Sequence, residues 1–93
     1  MSTTITDWRE QIDSVDAELL RLLNKRAALA IEVGVLKRRV AAPIFDPQRE
    51  HQVLIRARQA NPGPLDDQAV AKIFQCIMDE SRRAEALVTD SSV

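Results

Sequence analysis

The sequence is short of the side chains on which most enzyme chemistry depends. Its 93 residues include one histidine, one cysteine, two phenylalanines, one tryptophan and no tyrosine. A nucleophile with its base, a cluster of metal ligands and a row of aromatic platforms for bases each need more such residues than the chain has. We therefore predict no covalent catalysis, no metal and no nucleic-acid partner.

Long apolar runs are also missing. None approaches the roughly 18 residues of a membrane span, and residues 1–11 lack the apolar core of a signal peptide. Cys76 alone cannot form an internal disulfide, and we expect it to be a buried thiol. These absences predict a cytoplasmic protein with no membrane partner, and the length predicts one domain over residues 1–93 with no second catalytic domain.

The net charge of −1 conceals an uneven distribution. Residues 1–20 carry one basic and five acidic side chains, and residues 59–93 carry three and six. Residues 21–58 carry nine basic and three acidic side chains. The middle of the chain is therefore a cationic block.

Apolar residues at helical spacing predict an all-α fold of one long and two shorter helices. We place the helices at about residues 4–39, 47–60 and 66–88, with Asp46 capping the second and Asp66 or Asp67 capping the third. The long helix carries a heptad seam, and the third helix carries a shorter apolar face. The seam consists of Ile5, Trp8, Ile12, Val15, Leu19, Leu22, Leu29, Val33, Leu36 and Val40, and the face of Val70, Ile73, Phe74 and Ile77.

The first helix is too long for the domain that one chain can build. It would extend about 50 Å, whereas a compact domain of this size is roughly 35 Å across. The overhanging part of the seam needs a partner, and we expect that partner to be a second copy of the chain.

Polar side chains interrupt the apolar faces of two helices. Arg26 occupies a seam position, and Lys37 points the same way about 16 Å further along the helix. Ser81 and Glu85 extend the buried side of the third helix. Because an unpaired buried charge is costly, these positions imply ion pairs such as Lys37 with Glu85, a polar seam that sets register, or an anionic ligand.

Arg9 lies far from the other cations of the first helix. It is about 25 Å from Arg26 and about 42 Å from Lys37 along a straight helix. It is either a solvated arginine or, if two long helices pair antiparallel, a residue brought to the later half of the partner helix.

Several stretches together resemble the all-helical class of chorismate mutases, which includes the mutase domains fused to prephenate dehydratase. The resemblance covers about residues 7–88. The spacing between Arg26 and Lys37 and the Asp-x-x-Arg-Glu run match the pattern of that family as well as the heptads do. The stretches that carry it are residues 8–13, 16–23, 25–27, 32–37, 46–50 and 73–81.

The resemblance implies an intertwined homodimeric helical bundle that converts chorismate to prephenate on the route to phenylalanine and tyrosine. This one-step pericyclic rearrangement needs no nucleophile and no cofactor. The protein has to hold a dianion in a folded geometry and stabilise negative charge that grows on the ether oxygen.

The resemblance also implies roles for four cations. Arg26 and Arg49 would bind the substrate carboxylates, with Arg9 reaching in from the other protomer. Lys37 would contact a carboxylate and the ether oxygen. Arg26 and Lys37 are thus expected in the catalytic set together with Glu85.

Four further residues complete the implied site. Glu50 would accept a hydrogen bond from the substrate's ring hydroxyl, Asp46 would lie beside it, and Ser81 would add a hydrogen bond near a carboxylate. Glu85 departs from many bacterial members, which have Gln there to donate to the ether oxygen. Because an ionised carboxylate cannot donate, Glu85 has to be protonated, and we expect turnover to fall as the pH rises.

Two other functions stay open on the sequence. A related pericyclic elimination, that of an isochorismate pyruvate lyase, would use a similar cationic pocket. A non-catalytic helical dimerisation module would use Arg26 only to set register. Activation by a partner enzyme is a further possibility within the family.

Overall fold

Three α-helices joined by two short connections make up the fold. The structure, a computed structural model, describes residues 3–91, with side chains through residue 88. Within this range the helices are α1 (Ile5–Arg39), α2 (Pro47–Ala60) and α3 (Asp67–Ser91), and there is no strand. The all-α prediction is confirmed. Helix α3 extends to Ser91 instead of ending near residue 88, and residues 92 and 93 lie outside the described range.

Short polar side chains begin each helix. Thr4 and Asp7 form a capping box, in which each side chain accepts a hydrogen bond from the other's backbone N–H at 3.1 and 2.9 Å. The Asp46 carboxylate accepts from the N–H of Arg49 at 3.1 Å, and the Asp66 carboxylate accepts from that of Ala69 at 2.7 Å. The predicted caps of α2 and α3 therefore start both helices.

A tight reversal ends α1 directly after its last cations. The N–H of Ala42 donates to the carbonyl of Lys37 at 2.8 Å, and the N–H of Ala41 donates to that of Arg38 at 3.2 Å. This pattern is a Schellman motif, which requires a left-handed residue, and Ala41 supplies it with φ at 55°. The motif fixes the helical turn that carries Lys37.

Helix α3 holds the chain together because it packs against both α1 and α2. In the part of the chain that the structure describes, α1 and α2 do not pack directly against each other. The result is a thin and elongated layer of 60 × 28 × 14 Å. Its buried apolar core is small and consists of Val70 and Met78.

The heptad seam of α1 is left open to solvent. All ten seam residues are exposed, including Trp8 with 56% of its surface accessible. The accessible surface is 7456 Å², whereas a compact monomer of 10.4 kDa would expose about 5,400 Å². One chain therefore exposes about 2,000 Å² more than a compact monomer does, and its exposed residues include the whole seam.

One expectation for α3 is wrong. Cys76 is exposed rather than buried, because the hollow that it lines with Leu23 and Ala27 of α1 is open in a single chain. Ile73, a member of the predicted apolar face, is exposed in the single chain as well. Helical spacing predicts on which side of α3 such residues lie, but not whether a neighbouring element covers them.

The left-handed Ala41 generates a stability prediction. A Cβ in this conformation costs about 1 kcal/mol, so Ala41→Gly should raise the free energy of unfolding by about 0.5–1 kcal/mol. Urea unfolding at fixed protein concentration measures the change. Ala42→Gly is the matched control, and it should lower stability because Ala42 has no positive φ. An Ala41→Gly protein no more stable than Ala42→Gly would contradict the assignment.

Candidate active site

A cavity of about 280 Å³ opens where the three helices approach one another. Its lining comes from α1, the α1–α2 connection, α2 and α3. Seven of the eight predicted site residues line it, namely Arg26, Lys37, Asp46, Arg49, Glu50, Ser81 and Glu85. Residues up to 59 positions apart in sequence thus meet at one cavity.

Arg26 projects from the seam of α1 toward α3. Its Nη1 donates a hydrogen bond to the Oγ of Ser81 at 3.1 Å. Ser81 is buried, with 7% of its surface accessible, so this bond fixes one edge of the guanidinium. A guanidinium has five N–H donors, and the others remain for a ligand carboxylate.

Lys37 is held by the connection that follows α1. Its Nζ donates to the backbone carbonyl of Ile44 at 3.2 Å. An ammonium group has three donors, so this bond orients the charge and leaves donors for a ligand.

The start of α2 brings two acidic side chains to the cavity that are already hydrogen-bonded. Asp46 caps the helix as described above, and the exposed Arg49 follows it. Glu50 Oε1 accepts from Nε2 of Gln75 at 3.0 Å, and Glu50 Oε2 accepts from Nη1 of Arg82 at 2.8 Å. Both donors belong to α3, so Glu50 joins α2 to α3.

Glu85 is the most unusual group in the cavity. Only 8% of its surface is accessible, and it packs on Gly34, where a Cβ would lie 3.2 Å from both Cγ and Oε2 of Glu85. Burial raises the pKa of the Glu85 carboxyl, while the charges of Lys37 and Arg82 act to lower that pKa. The raised pKa favours the protonated carboxyl, which can donate a hydrogen bond.

Arg9 does not line this cavity. It is exposed in the second turn of α1, about 25 Å from Arg26 along the helix. The cavity of a single chain therefore lacks one of the four predicted cations, and a contribution across a dimer stays a prediction.

Arg82 is a site residue that the sequence reasoning missed, and Gln75, which does not line the cavity, supports the site through its hydrogen bond to Glu50. Arg82 lines the cavity, and its guanidinium carbon lies 4.5 Å from the centroid of the Phe45 ring. A signal for Arg82 was present, because Met78, Ser81, Arg82 and Glu85 follow the i, i+3, i+4, i+7 pattern of one helix face.

The charge balance of the cavity suits a small anion. Arg26, Lys37, Arg49 and Arg82 face three carboxyl groups; Asp46 caps a helix, and Glu50 is bound to Arg82. Among the described residues, no group of His, Cys, Asp and Glu side chains could hold a metal ion, and no helix is long and apolar enough to cross a membrane. The arrangement can bind an anion and stabilise negative charge that develops on it.

Comparison with known proteins identifies the family. Residues 8–86 match the family described as chorismate mutase type II. The chain is 43% identical to the bifunctional chorismate mutase/prephenate dehydratase of Neisseria gonorrhoeae over 96% of this chain, but it spans only 25% of that protein. It is 30% identical to the chorismate mutase of Methanocaldococcus jannaschii over 88% of this chain and 84% of the relative.

A solved structure agrees with these matches. The chorismate mutase (form II) of Thermus thermophilus superposes with a TM-score of 0.86 at 37% identity, covering 87% of this chain and 92% of that one. The three helices thus have the fold of that chorismate mutase. This chain is a member of the chorismate mutase type II family.

The buried Glu85 generates a prediction about stability and pH. The folded protein keeps the Glu85 proton to higher pH than the unfolded chain, so ionisation destabilises the fold as the pH rises above about 4.5, the ordinary pKa of glutamic acid. Glu85→Gln mimics the neutral carboxyl. Its gain in unfolding free energy over wild type should be absent near pH 4, grow as the pH rises above about 4.5, and level off once Glu85 is ionised in the folded protein.

Urea unfolding of both proteins across this range, at one protein concentration, measures the gain. Glu80→Gln, which removes a carboxylate that is 65% exposed on the same helix, controls for the loss of one negative charge. A difference between wild type and Glu85→Gln that does not change with pH would refute the prediction.

Proposed function

We propose that this chain is a chorismate mutase that converts chorismate to prephenate by electrostatic preorganisation. The observation that carries the proposal is that seven residues separated in sequence line one cavity in a member of this family. The family match and the named relatives favour this reaction over an isochorismate pyruvate lyase and over a non-catalytic dimerisation module.

The reaction requires that the protein bind the substrate and stabilise developing charge, and it does not require a reactive side chain. In the rearrangement the ether C–O bond breaks as a new C–C bond forms within the same molecule, and no proton or leaving group is transferred. Arg26 and Arg49 bind the two carboxylates and hold the folded conformation, which lowers the entropic part of the barrier. The hydrogen bond to Ser81 positions the Arg26 guanidinium before the substrate binds.

Lys37 and Glu85 act at the ether oxygen, where negative charge grows. Lys37 is oriented by the carbonyl of Ile44, so its charge needs little reorganisation. Glu85, with its raised pKa, donates from the protonated carboxyl. Glu50 accepts from the ring hydroxyl, and Ser81 orients Arg26 and adds a hydrogen bond near a carboxylate.

The functional unit in this proposal is a homodimer. The seam of α1 is exposed in a single chain. The excess accessible surface of about 2,000 Å² per chain is in the range of areas that obligate dimer interfaces bury. An antiparallel second copy would cover the seam and bring its Arg9 to the cavity. The single cysteine supports a cytoplasmic location.

The assay that tests the function follows chorismate loss and prephenate formation by the purified protein. Isochorismate is supplied in a parallel reaction. The proposal predicts prephenate from chorismate, at the same specific rate in purified protein and in cell extract. Release of salicylate and pyruvate from isochorismate, with no prephenate from chorismate, would overturn it.

The role of Glu85 predicts the pH dependence of the reaction. Only the protonated carboxyl donates to the ether oxygen, so kcat/KM should fall about tenfold per pH unit above the pKa of Glu85. Glu85→Gln keeps a donor at all pH values and should flatten the profile. A wild-type kcat/KM that stays constant from pH 5 to pH 8 would show that Glu85 does not act in this way.

The shared site predicts complementation between two inactive variants. Arg9→Ala and Lys37→Ala should each lose most activity, because every site then lacks one cation. After mixing and subunit exchange, half of the dimers are mixed and contain one intact site of two, so about a quarter of wild-type activity should return. If mixing restores no activity although native mass spectrometry shows mixed dimers, Arg9 does not act across the dimer.

A further inference from the structure

Arg82 is the cation of the cavity to which the family resemblance assigns no role. It follows Ser81 on α3 and lines the cavity, with 32% of its side chain accessible. We propose that Arg82 is a positioning residue of this active site, which clamps the Glu50 carboxylate against α3 and holds a fixed positive charge beside Glu85. This role rests on the proposed function.

Three contacts immobilise the Arg82 guanidinium. Nη1 donates to Oε2 of Glu50 at 2.8 Å, and Nη2 donates to Oδ1 of Asp79 at 2.8 Å. The guanidinium carbon also lies 4.5 Å from the centroid of the Phe45 ring, in cation–π geometry. Its contacts come from the α1–α2 connection, α2 and α3, so Arg82 ties these elements together at the cavity wall.

The clamp determines how Glu50 presents its oxygens. Gln75 donates to Oε1 and Arg82 donates to Oε2, so each oxygen is held from the α3 side. A carboxylate has about four lone-pair positions, and the two that remain can accept from a ligand hydroxyl. Without Arg82, the carboxylate of Glu50, which is 18% accessible, would lose its charged partner and its orientation.

The charge of Arg82 also acts on Glu85, three residues further along α3. The other charged groups that line the cavity around Glu85 are Arg26 and Lys37 from α1, and Asp46, Arg49 and Glu50 from the start of α2. Lys37 and Arg82 both lower the pKa of Glu85 against the larger effect of burial. Arg82 and Lys37 together therefore limit how far burial raises the pKa of Glu85.

Two separate kinetic effects, one on KM and one on the pH dependence of kcat/KM, distinguish this role from a merely structural one. In Arg82→Gln the displaced Glu50 should bind substrate less well and raise KM about tenfold, the loss of one charge-assisted hydrogen bond. The same variant removes a positive charge beside Glu85, so the high-pH fall of kcat/KM should move upward by about half a pH unit. A general loss of folding would not shift the pH profile in that direction.

Two further variants separate charge from clamp. Arg82→Lys keeps the charge but loses the two-pronged guanidinium, so it should raise KM while leaving the pH midpoint near that of wild type. Arg83→Gln is the matched control, because Arg83 is 71% exposed, pairs with Glu80 and does not line the cavity. It makes the same change in net charge one residue away and should change neither KM nor the midpoint.

The experiment measures chorismate turnover by wild type and the three variants from pH 5 to pH 9, with circular dichroism to confirm folding. The expected result is a raised KM in both Arg82 variants and an upward midpoint shift in Arg82→Gln alone. An active wild type with Arg82→Gln indistinguishable from Arg83→Gln would overturn the role of Arg82 and leave the proposed function standing. A wild type that forms no prephenate would refute the proposed function itself, and the role of Arg82 with it.

Discussion

The apolar seam of α1 is not covered by the rest of the described chain, and such a surface is stable in water only when another surface covers it. Helix α3 packs against part of α1, but the seam residues from Ile5 to Val40 stay exposed. Burial of an apolar surface of this size stabilises an assembly by far more than a surface salt bridge does. In the proposed dimer, the long helix that pairs with the second copy also carries Arg9, Arg26 and Lys37, so the proposed dimerisation and ligand binding depend on one structural element.

The cavity lies where polar side chains interrupt the apolar faces of α1 and α3. Arg26 replaces a seam residue of α1, and Ser81 and Glu85 continue the buried face of α3. Gly34 leaves the space that lets Glu85 pack close to α1. A buried carboxyl among cations would be a poor way to stabilise a fold. It is a suitable way to keep a hydrogen-bond donor where an anionic ligand develops negative charge, and we interpret the site in that sense.

Helical periodicity predicted most of the fold and much of the candidate site. It identified three helices, the cap Asp46, a cap at Asp66 or Asp67, and the buried positions of Ser81 and Glu85. It did not identify the partner of Lys37, because the carbonyl of Ile44 belongs to an irregular connection. It also missed Arg82, since a spacing of three from Asp79 is equally typical of an exposed ion pair. Cys76 was misjudged because burial depends on what covers a helix, and sequence spacing does not show that.

In the proposed dimer, the pocket for a small dianion is complete only when two chains associate. Native mass spectrometry with a bicyclic dicarboxylate analogue of the transition state tests this directly, at protein concentrations where monomers and dimers coexist. We expect dimers that carry up to two analogues and monomers that carry none. Monomers that bind the analogue as fully as dimers do would contradict it.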